Sequence, residues 1–170
     1  MSCPLVLIHQ MGKVGSTSLL ETVKHKGVTV YHTHFLNETR LERQIKAESG
    51  SAKIPTHLWH SQEVQSILKQ GDVLQRPIKV ISLTRDPVER NVSAYFENIG
   101  AKADWPIDDL VSHFFRKYPH DLPIWWFDSE IKEVFDIDVY SNLFSHKDGF
   151  SVIPESVTLP PAAAQPGAAR

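Results

Sequence analysis

The chain has 170 residues, enough for one domain with a substantial hydrophobic core. Its 18 Lys and Arg residues nearly balance its 20 Asp and Glu residues, so composition excludes a general affinity for nucleic acid or for anionic membranes. A single cysteine excludes an internal disulfide framework. No apolar run approaches the roughly 20 residues of a membrane span, and the N-terminus lacks the pattern of a signal peptide. We therefore expect a cytoplasmic protein.

The first informative stretch predicts a strand, a loop and a helix. The apolar run Leu5–Ile8 is typical of a buried parallel strand. Gly12 and Gly15 allow a tight turn and a close approach of the backbone to a ligand, and a helical pattern begins at Ser16. A helix N-terminus that follows such a loop presents free N–H groups and the positive end of its dipole. The stretch therefore predicts a site for phosphate or sulfate.

Lys13 distinguishes this loop from the standard loop that binds nucleoside triphosphates. That motif places its lysine directly after the second glycine, whereas Lys13 precedes Gly15. On these residues alone, a strand-to-helix turn with incidental polar residues fits equally well. A phosphotransferase that uses ATP is a further alternative, although the sequence shows no obvious Mg²⁺-ligating Asp after an apolar strand.

Further strands and helices alternate along the chain. The run Val28–His34 predicts a second strand, and Asn37 is placed to cap a charged helix that ends near Ser49 and Gly50. The segment Thr56–Trp59 is a short strand candidate. Ser18 and Glu21 are spaced as a capping box of the first helix. Ser61 is placed to cap a further helix that uses Val64, Ile67 and Leu68 and stops at Gly71.

The clearest strand, Ile78–Thr84, precedes a strong helix start. Asp86 at the N-cap, Pro87 at the first helical position and Glu89 two residues later form the expected signature. The apolar face predicted for this helix consists of Val88, Val92, Tyr95 and Ile99.

This alternation predicts an α/β fold with three layers, in which a mainly parallel sheet carries helices on both faces. Ligands of such sheets bind beyond the carboxyl ends of the strands. Lys13, His34, His60 and Arg85 all follow predicted strand ends, so we expect them to converge on one crevice.

The last third of the chain is aromatic and helical before its character changes. Residues 110–115 and 123–135 predict helices that either pack over the sheet or form a wall that positions a sugar acceptor. Residues 143–153 around Asp148-Gly149 predict a hairpin. From residue 154 the chain is rich in Pro and Ala, which predicts a disordered tail, residues 154–170, after a single domain, residues 1–153.

A second anion site is predicted at the start of the helix after Ile78–Thr84. The Arg85 guanidinium offers a fork of donors, and Ser93 two turns later offers a hydroxyl. The alternative is that Arg85 pairs with Asp86 or Glu89 and that Ser93 lies against its own helix.

Two motifs resemble those of sulfotransferases that use 3′-phosphoadenosine-5′-phosphosulfate (PAPS). The run Lys13-Val14-Gly15-Ser16-Thr17-Ser18 is similar to the 5′-phosphosulfate loop of the carbohydrate sulfotransferases, K-[TV]-[GA]-S-T-S. The run from Arg85 to Phe96 is similar to their 3′-phosphate motif, R-[DN]-P-x-x-[RA]-x-x-S-x-[YF]. Within this superfamily, residues 126–140 resemble the family named for capsular polysaccharide synthesis. The resemblance covers residues 4 to 153.

The resemblance implies a P-loop-like fold and transfer of a sulfuryl group from PAPS to a hydroxyl of a carbohydrate or polysaccharide acceptor, without a metal. Lys13 is expected to stabilise the leaving group and a histidine to act as base, with His57 ranked before His34 and His60. The implied PAPS-binding residues are Lys13, Val14, Gly15, Ser16, Thr17, Ser18, Arg85 and Ser93.

The resemblance also implies a shortened domain. Related domains continue past the region of Gly149-Phe150 with elements that complete the sheet and cover the nucleotide, whereas this chain runs into its Pro/Ala-rich stretch. An inactive module that binds nucleotide weakly, or that serves in protein interactions, is therefore the alternative function.

Overall fold

A computed structural model describes residues 4–48, 54–70, 77–118 and 123–154. Three parallel strands form one sheet in the order β2-β1-β3: β1 is Leu5–His9, β2 is Val30–Thr33 and β3 is Ile78–Ile81. The α-helices are α1 (Ser16–His25), α2 (Glu38–Glu48), α3 (Thr56–Lys69), α4 (Pro87–Asn98), α5 (Ile107–Lys117) and the short α6 (Glu133–Phe135). Short 3₁₀ segments span Gly100–Asp104 and Val139–Ser141, and a π-helical turn, Asp128–Lys132, leads into α6. The fold is α/β, as predicted.

The central strand β1 is buried on both of its faces. Leu5 and Leu7 belong to the main core cluster, which includes Val64 of α3, Trp126 and Phe135 of α6. Val6 and Ile8 alternate with them, point to the opposite face of the sheet and are also buried. This burial on both faces explains why β1 reads as an uninterrupted apolar run.

The register brings the carboxyl ends of the strands to one edge of the sheet. His9 of β1 lies opposite Thr33 of β2, and Ile8 lies opposite Ile81 of β3. Because all three strands are parallel, the segments 10–15, 34–37 and 82–86 all leave the sheet at this edge. This is the edge at which parallel α/β sheets bind ligands.

The strand predicted at Thr56–Trp59 is wrong, because these residues form the first turn of α3. The carbonyl of Pro55 accepts hydrogen bonds from the N–H groups of Leu58 and Trp59. Ser61 is therefore not an N-cap, and its hydroxyl donates to the carbonyl of His57 within the helix. Leu58, Ser61 and Val64 are all buried, so one helical stripe continues through the segment that was assigned to a strand. The predicted stop at Gly71 lies outside the described residues.

The cap of α2 is confirmed, whereas the capping box of α1 is wrong. The Oδ1 atom of Asn37 accepts a hydrogen bond from the N–H of Arg40 at 3.2 Å. In α1 the N-cap is Gly15, so Ser18 already lies inside the first turn, and Glu21 pairs instead with Lys24. The predicted end of α2 at Ser49 and Gly50 lies outside the described residues.

The start of α4 is confirmed and its predicted apolar face is partly wrong. Tyr95 is buried, as predicted, but half of the Val88 surface is exposed and Val92 is exposed as well. Asn91 and Ala94 are buried instead. The buried face of α4 is thus rotated toward the polar residue Asn91, which a pattern of apolar residues cannot predict.

Residues 123–135 pack over the sheet, one of the two predicted arrangements, because Trp126, Ile131 and Phe135 belong to the core cluster of Leu5 and Leu7, whereas α5 does not. The rings of Phe114 in α5 and Tyr95 in α4 lie 5.3 Å apart, so α5 packs on α4, and no residue of α5 is buried among those described. The predicted hairpin has no strand pairing within residues 143–154. Ser151 bridges this segment through its side chain, accepting from the Ser145 N–H and donating to the Leu143 carbonyl. The predicted tail lies outside the described residues from 155 onward.

Replacing Asp86 by alanine should destabilise the protein by about 1 kcal/mol, the usual cost of losing an N-cap. The Oδ1 atom of Asp86 accepts from the N–H groups of Val88 and Glu89, each at 3.0 Å. Urea unfolding of Asp86→Ala measures this cost. Asp86→Asn keeps the acceptor and should lose a few tenths of a kcal/mol at most. Equal losses in both variants would contradict the capping role.

Candidate functional site

The loop between β1 and α1 has the backbone geometry of an anion site. Lys13 has φ 71° and Gly15 has φ 87°, both in the left-handed region. Gly15 adopts it without the steric cost that a side chain would add. The helix α1 begins directly at Ser16, and no side chain caps its first turn. The N–H groups of that turn are therefore available to an anion.

His34 stands beside this loop in a defined tautomer. Its Nδ1–H donates to the backbone carbonyl of Gln10 at 2.8 Å, so its Nε2 carries the free lone pair when the ring is neutral. That Nε2 lies 3.9 Å from the position that a Cβ on Gly12 would take. The carbonyl of His34 in turn accepts from the indole N–H of Trp126 at 3.3 Å. The ring is thus oriented, with its basic nitrogen beside the loop.

Two further histidines extend this cluster. The His32 Nε2 is hydrogen-bonded to the Ser16 hydroxyl at 2.9 Å, which links β2 to the first residue of α1. The His32 ring centroid lies 4.7 Å from that of His34. The ring centroid of His57, a residue of α3, lies 5.1 Å from that of His34. The imidazoles of His32, His34 and His57, which we call the histidine cluster, therefore lie side by side, with His32 and His34 next to the loop.

Burial keeps the histidine cluster neutral. The pKa of His34 is lowered to about 4, mainly by burial; the bond to Gln10 raises it in part, and positive charge on His32 and His57 would lower it. Burial is also the main cause that lowers the pKa of His32 and of His57. At neutral pH the cluster therefore offers lone pairs rather than positive charge.

The positive charge near the loop comes from Lys13 and from α4. Arg90 donates from Nε to the carbonyl of Gly12 at 3.0 Å, and burial lowers its pKa from the usual high value without neutralising it. The Lys13 Nζ lies 2.9 Å from a carboxylate oxygen of Glu97. Arg90, Ser93 and Glu97 recur at helical spacing on one face of α4. Because Arg90 and Glu97 both contact the loop, Ser93 is on the face of α4 toward it.

Within the part of the chain that the structure describes, no side-chain contact brings Arg85 or His60 against the loop. The Arg85 Nε lies 3.3 Å from a carboxylate oxygen of Glu89, which is the pairing given as the alternative for this residue. The His60 ring packs near Tyr31, at 5.9 Å, and near Trp59, at 5.4 Å. His60 lies within α3 and follows no strand, so that part of the expected convergence is wrong. Arg85 does follow β3 and precedes the N-terminus of α4.

A buried polar network supports the segment that carries His34. Glu130 is fully buried, and its Oε2 accepts from the N–H groups of Leu36 at 2.6 Å and Asn37 at 2.9 Å. Its Oε1 lies 3.3 Å from Nε of Arg40. The buried His9 donates from Nε2 to the Glu130 carbonyl at 3.3 Å. The π-helical turn thus holds the start of α2 and the end of β1 in place.

Two residues of the site, Arg90 and Glu97, were not assigned a role from the sequence, and His32 belonged to the group of histidines expected to include the base but was not ranked within it. Arg90 lies inside the second motif, and its spacing to Ser93 was a visible signal for a shared helix face. His32 was visible as one of a pair that ends β2. Glu97 had no signal, because its contact with Lys13 depends on how α4 lies across the loop.

Within the described residues, no group of three His, Cys, Asp or Glu side chains is arranged to hold a metal ion. No helix in the described ranges is both long enough and apolar enough to cross a membrane. Comparisons with protein-family models, with curated proteins and with solved structures found no match to this chain.

Proposed function

We propose that the protein is a PAPS-dependent sulfotransferase that transfers a sulfuryl group to a hydroxyl of a carbohydrate acceptor. The carrying observation is the pairing of an uncapped helix N-terminus with an oriented neutral imidazole at one loop. The first-turn N–H groups of α1 suit an anion, and His34 presents its Nε2 beside Gly12. An anion site next to a base is the arrangement that sulfuryl transfer requires. The proposal includes the three-layer, P-loop-like fold of these enzymes.

Each element of the loop has a role in this proposal. The N–H groups after Gly15 and the hydroxyls of Ser16 and Thr17 would hold the 5′-phosphosulfate. Lys13 would stabilise the negative charge that develops on the leaving phosphate oxygen, after it exchanges Glu97 for the donor. Arg90 would keep the loop in shape through its bond to the Gly12 carbonyl.

His34 is the histidine that the geometry favours as the base, ahead of His57. PAPS supplies the sulfuryl group when it is bound. The Nε2 of His34 would accept the proton of the acceptor hydroxyl, and its Nδ1–H would remain on the Gln10 carbonyl. A pKa of about 4 ensures that the ring begins deprotonated. The dianionic phosphosulfate group of the donor beside it would raise that pKa, because negative charge favours the imidazolium.

Arg85 and Ser93 would hold the 3′-phosphate that distinguishes PAPS from ATP. Arg85 is exposed and pairs with the exposed Glu89, so little free energy opposes its transfer to a phosphate. Ser93 lies on the loop-facing side of α4, nearly two turns beyond the N-terminus of the helix. The two motifs thus meet through α4, whose Arg90 already contacts the first loop.

Calorimetric titration with 3′-phosphoadenosine-5′-phosphate, the product of the donor, tests this assignment. Lys13→Ala and Arg85→Ala should each weaken binding by about tenfold or more, the usual effect of losing a charge-assisted bond to phosphate. Adenosine 5′-phosphate lacks the 3′-phosphate, so its binding should respond to Lys13→Ala but not to Arg85→Ala.

The matched control is Lys24→Ala, which removes an exposed lysine of α1 that pairs with Glu21. It should leave the affinity for both nucleotides unchanged. Absence of nucleotide binding, or equal effects of the three substitutions, would overturn the proposal. Binding without transfer of labelled sulfate from PAPS would instead favour the inactive nucleotide-binding module. Preference for ATP over the PAPS product would favour a phosphotransferase.

A further inference from the structure

An open groove of about 450 Å³ lies along α5, apart from the loop and the histidine cluster. Its lining residues are Trp105, Pro106, Asp109, Ser112 and Arg116. Asp109, Ser112 and Arg116 recur at spacings of three and four, so they occupy one face of α5. The volume falls within the range of small-molecule sites. The groove therefore combines one aromatic ring with a stripe of polar side chains.

The aromatic wall of the groove is held in place before any ligand binds. The Trp105 ring lies 5.6 Å from the His113 ring, and the Lys102 ammonium stands 5.7 Å from its centroid. Pro106 follows directly as the N-cap of α5. The indole is still 41% exposed. A ring that is already positioned and still accessible loses little entropy when a ligand stacks on it.

The groove is bordered by positive charge. Burial and then the charges of Lys102, Arg116 and Lys117 lower the pKa of His113, and the Lys102 ammonium also stands beside the Trp105 ring. Arg116 also lines the groove. A planar guanidinium binds a carboxylate or sulfate through two parallel hydrogen bonds. The groove can therefore accept one acidic group at the Arg116 end of α5.

The groove is connected to the candidate active site through α4. The Tyr95 hydroxyl of α4 donates to the Leu110 carbonyl of α5 at 3.0 Å, and the Tyr95 ring contacts Phe114. The same helix α4 contacts the loop through Arg90 and Glu97. The helix that carries the groove is thus packed on the helix that supports the loop.

We propose that this groove is a subsite for an acidic saccharide unit of the acceptor. Trp105 would stack against the C–H face of the sugar ring, Asp109 and Ser112 would bind its hydroxyls, and Arg116 would bind its carboxylate or sulfate. That the bound saccharide is the sulfuryl acceptor rests on the proposed function, whereas the saccharide site itself does not. The carboxylate of Asp109 suits sugar hydroxyls and disfavours a ligand made of successive phosphates, such as a nucleic acid.

The experiment is an NMR titration with an unsulfated chondroitin hexasaccharide, which carries glucuronate carboxylates, and with neutral maltohexaose. Among the indole N–H signals, that of Trp105 should shift with the acidic probe. Trp105→Ala and Arg116→Ala should each weaken binding by about tenfold or more. The matched controls are Trp125→Ala and Arg43→Ala, which remove exposed residues of the same types outside the groove and should leave affinity unchanged.

The outcomes separate this inference from the proposed function. If the hexasaccharide does not bind, or if maltohexaose binds equally well, the inference is wrong while nucleotide binding still tests the enzyme assignment. If binding persists in both Trp105→Ala and Arg116→Ala, the inference is also wrong. If the acidic probe binds at Trp105 and the nucleotide does not bind at all, the saccharide site stands and the sulfotransferase proposal fails.

Discussion

Replacing Glu130 by alanine is expected to lower the free energy of unfolding by about 2 to 5 kcal/mol, because each buried donor left without an acceptor costs about 1 to 3 kcal/mol. The Glu130 carboxylate has no exposed surface and accepts from two backbone N–H groups, those of Leu36 and Asn37. It also faces the guanidinium of Arg40. Without it, these donors are left unsatisfied inside the protein, and each buried N–H without an acceptor is costly. Urea unfolding followed by circular dichroism measures the loss.

A neighbouring carboxylate provides a matched control for Glu130. Glu133 accepts a hydrogen bond from the Asn37 side chain at 2.8 Å, on the solvent side of the same helical segment. Glu133→Ala should cost less than about 1 kcal/mol, because exposed polar contacts contribute little. Glu130→Gln keeps one acceptor oxygen and should fall between the two alanine variants. Equal losses in Glu130→Ala and Glu133→Ala would show that the buried network does not support the fold as described.

Glu130 also illustrates what the sequence could not predict. Its partner Leu36 is 94 residues away in the chain, and nothing in the residues around Glu130 marks it as buried. The features that were predicted correctly rest on local signals: the uninterrupted apolar run of β1, and the Asp86-Pro87 start of α4. The segment Thr56–Trp59 failed for the opposite reason. Its local β propensity was overridden by the helical burial of Leu58 and Val64 against the core.

In the candidate site, too, features with a local sequence signal were predicted and features that depend on distant contacts were not. The loop from Lys13 to Ser16 could be recognised because its glycine and the start of the helix are adjacent in the sequence. The choice among histidines was not, because it depends on which ring meets Gly12 across the edge of the sheet. The sequence ranked His57 first, whereas the bond from Nδ1 to the Gln10 carbonyl orients the Nε2 of His34 beside the loop. The bond between His32 and Ser16 likewise requires knowledge of how β2 pairs with β1.

His34→Gln should lower the rate of sulfuryl transfer by about 10²- to 10⁴-fold, the usual contribution of a general base. A glutamine amide keeps a polar side chain of similar length but cannot accept the proton of the acceptor hydroxyl. Affinity for 3′-phosphoadenosine-5′-phosphate should stay within a few-fold of wild type. The control His60→Gln changes a ring that packs on Tyr31 and should retain most of the rate. If His57→Gln loses the activity and His34→Gln keeps it, the base is His57.

The same variant tests the burial of His34 without any assay of activity. The pKa of His34 is about 4 in the folded protein, against 6.5 for an ordinary histidine, so between these values the unfolded chain binds the extra proton. The contribution of His34 to the free energy of unfolding therefore changes little with pH above 6.5, and it falls as the pH drops from 6.5 toward 4. A shift of this size corresponds to at most about 3 kcal/mol. Urea unfolding of wild type and His34→Gln at pH 7.5, 5.5 and 4.5 measures it.

The difference between the two proteins isolates His34, because His32 and His57 also have lowered pKa values and remain in both. The stability of His34→Gln should therefore decline with acid less steeply than that of wild type. Parallel pH curves would mean that His34 titrates normally and is open to water. In that case protons from bulk solvent would compete for its Nε2 near neutral pH. The imidazole would then not be held deprotonated, and the assignment of His34 as the base would lose that support.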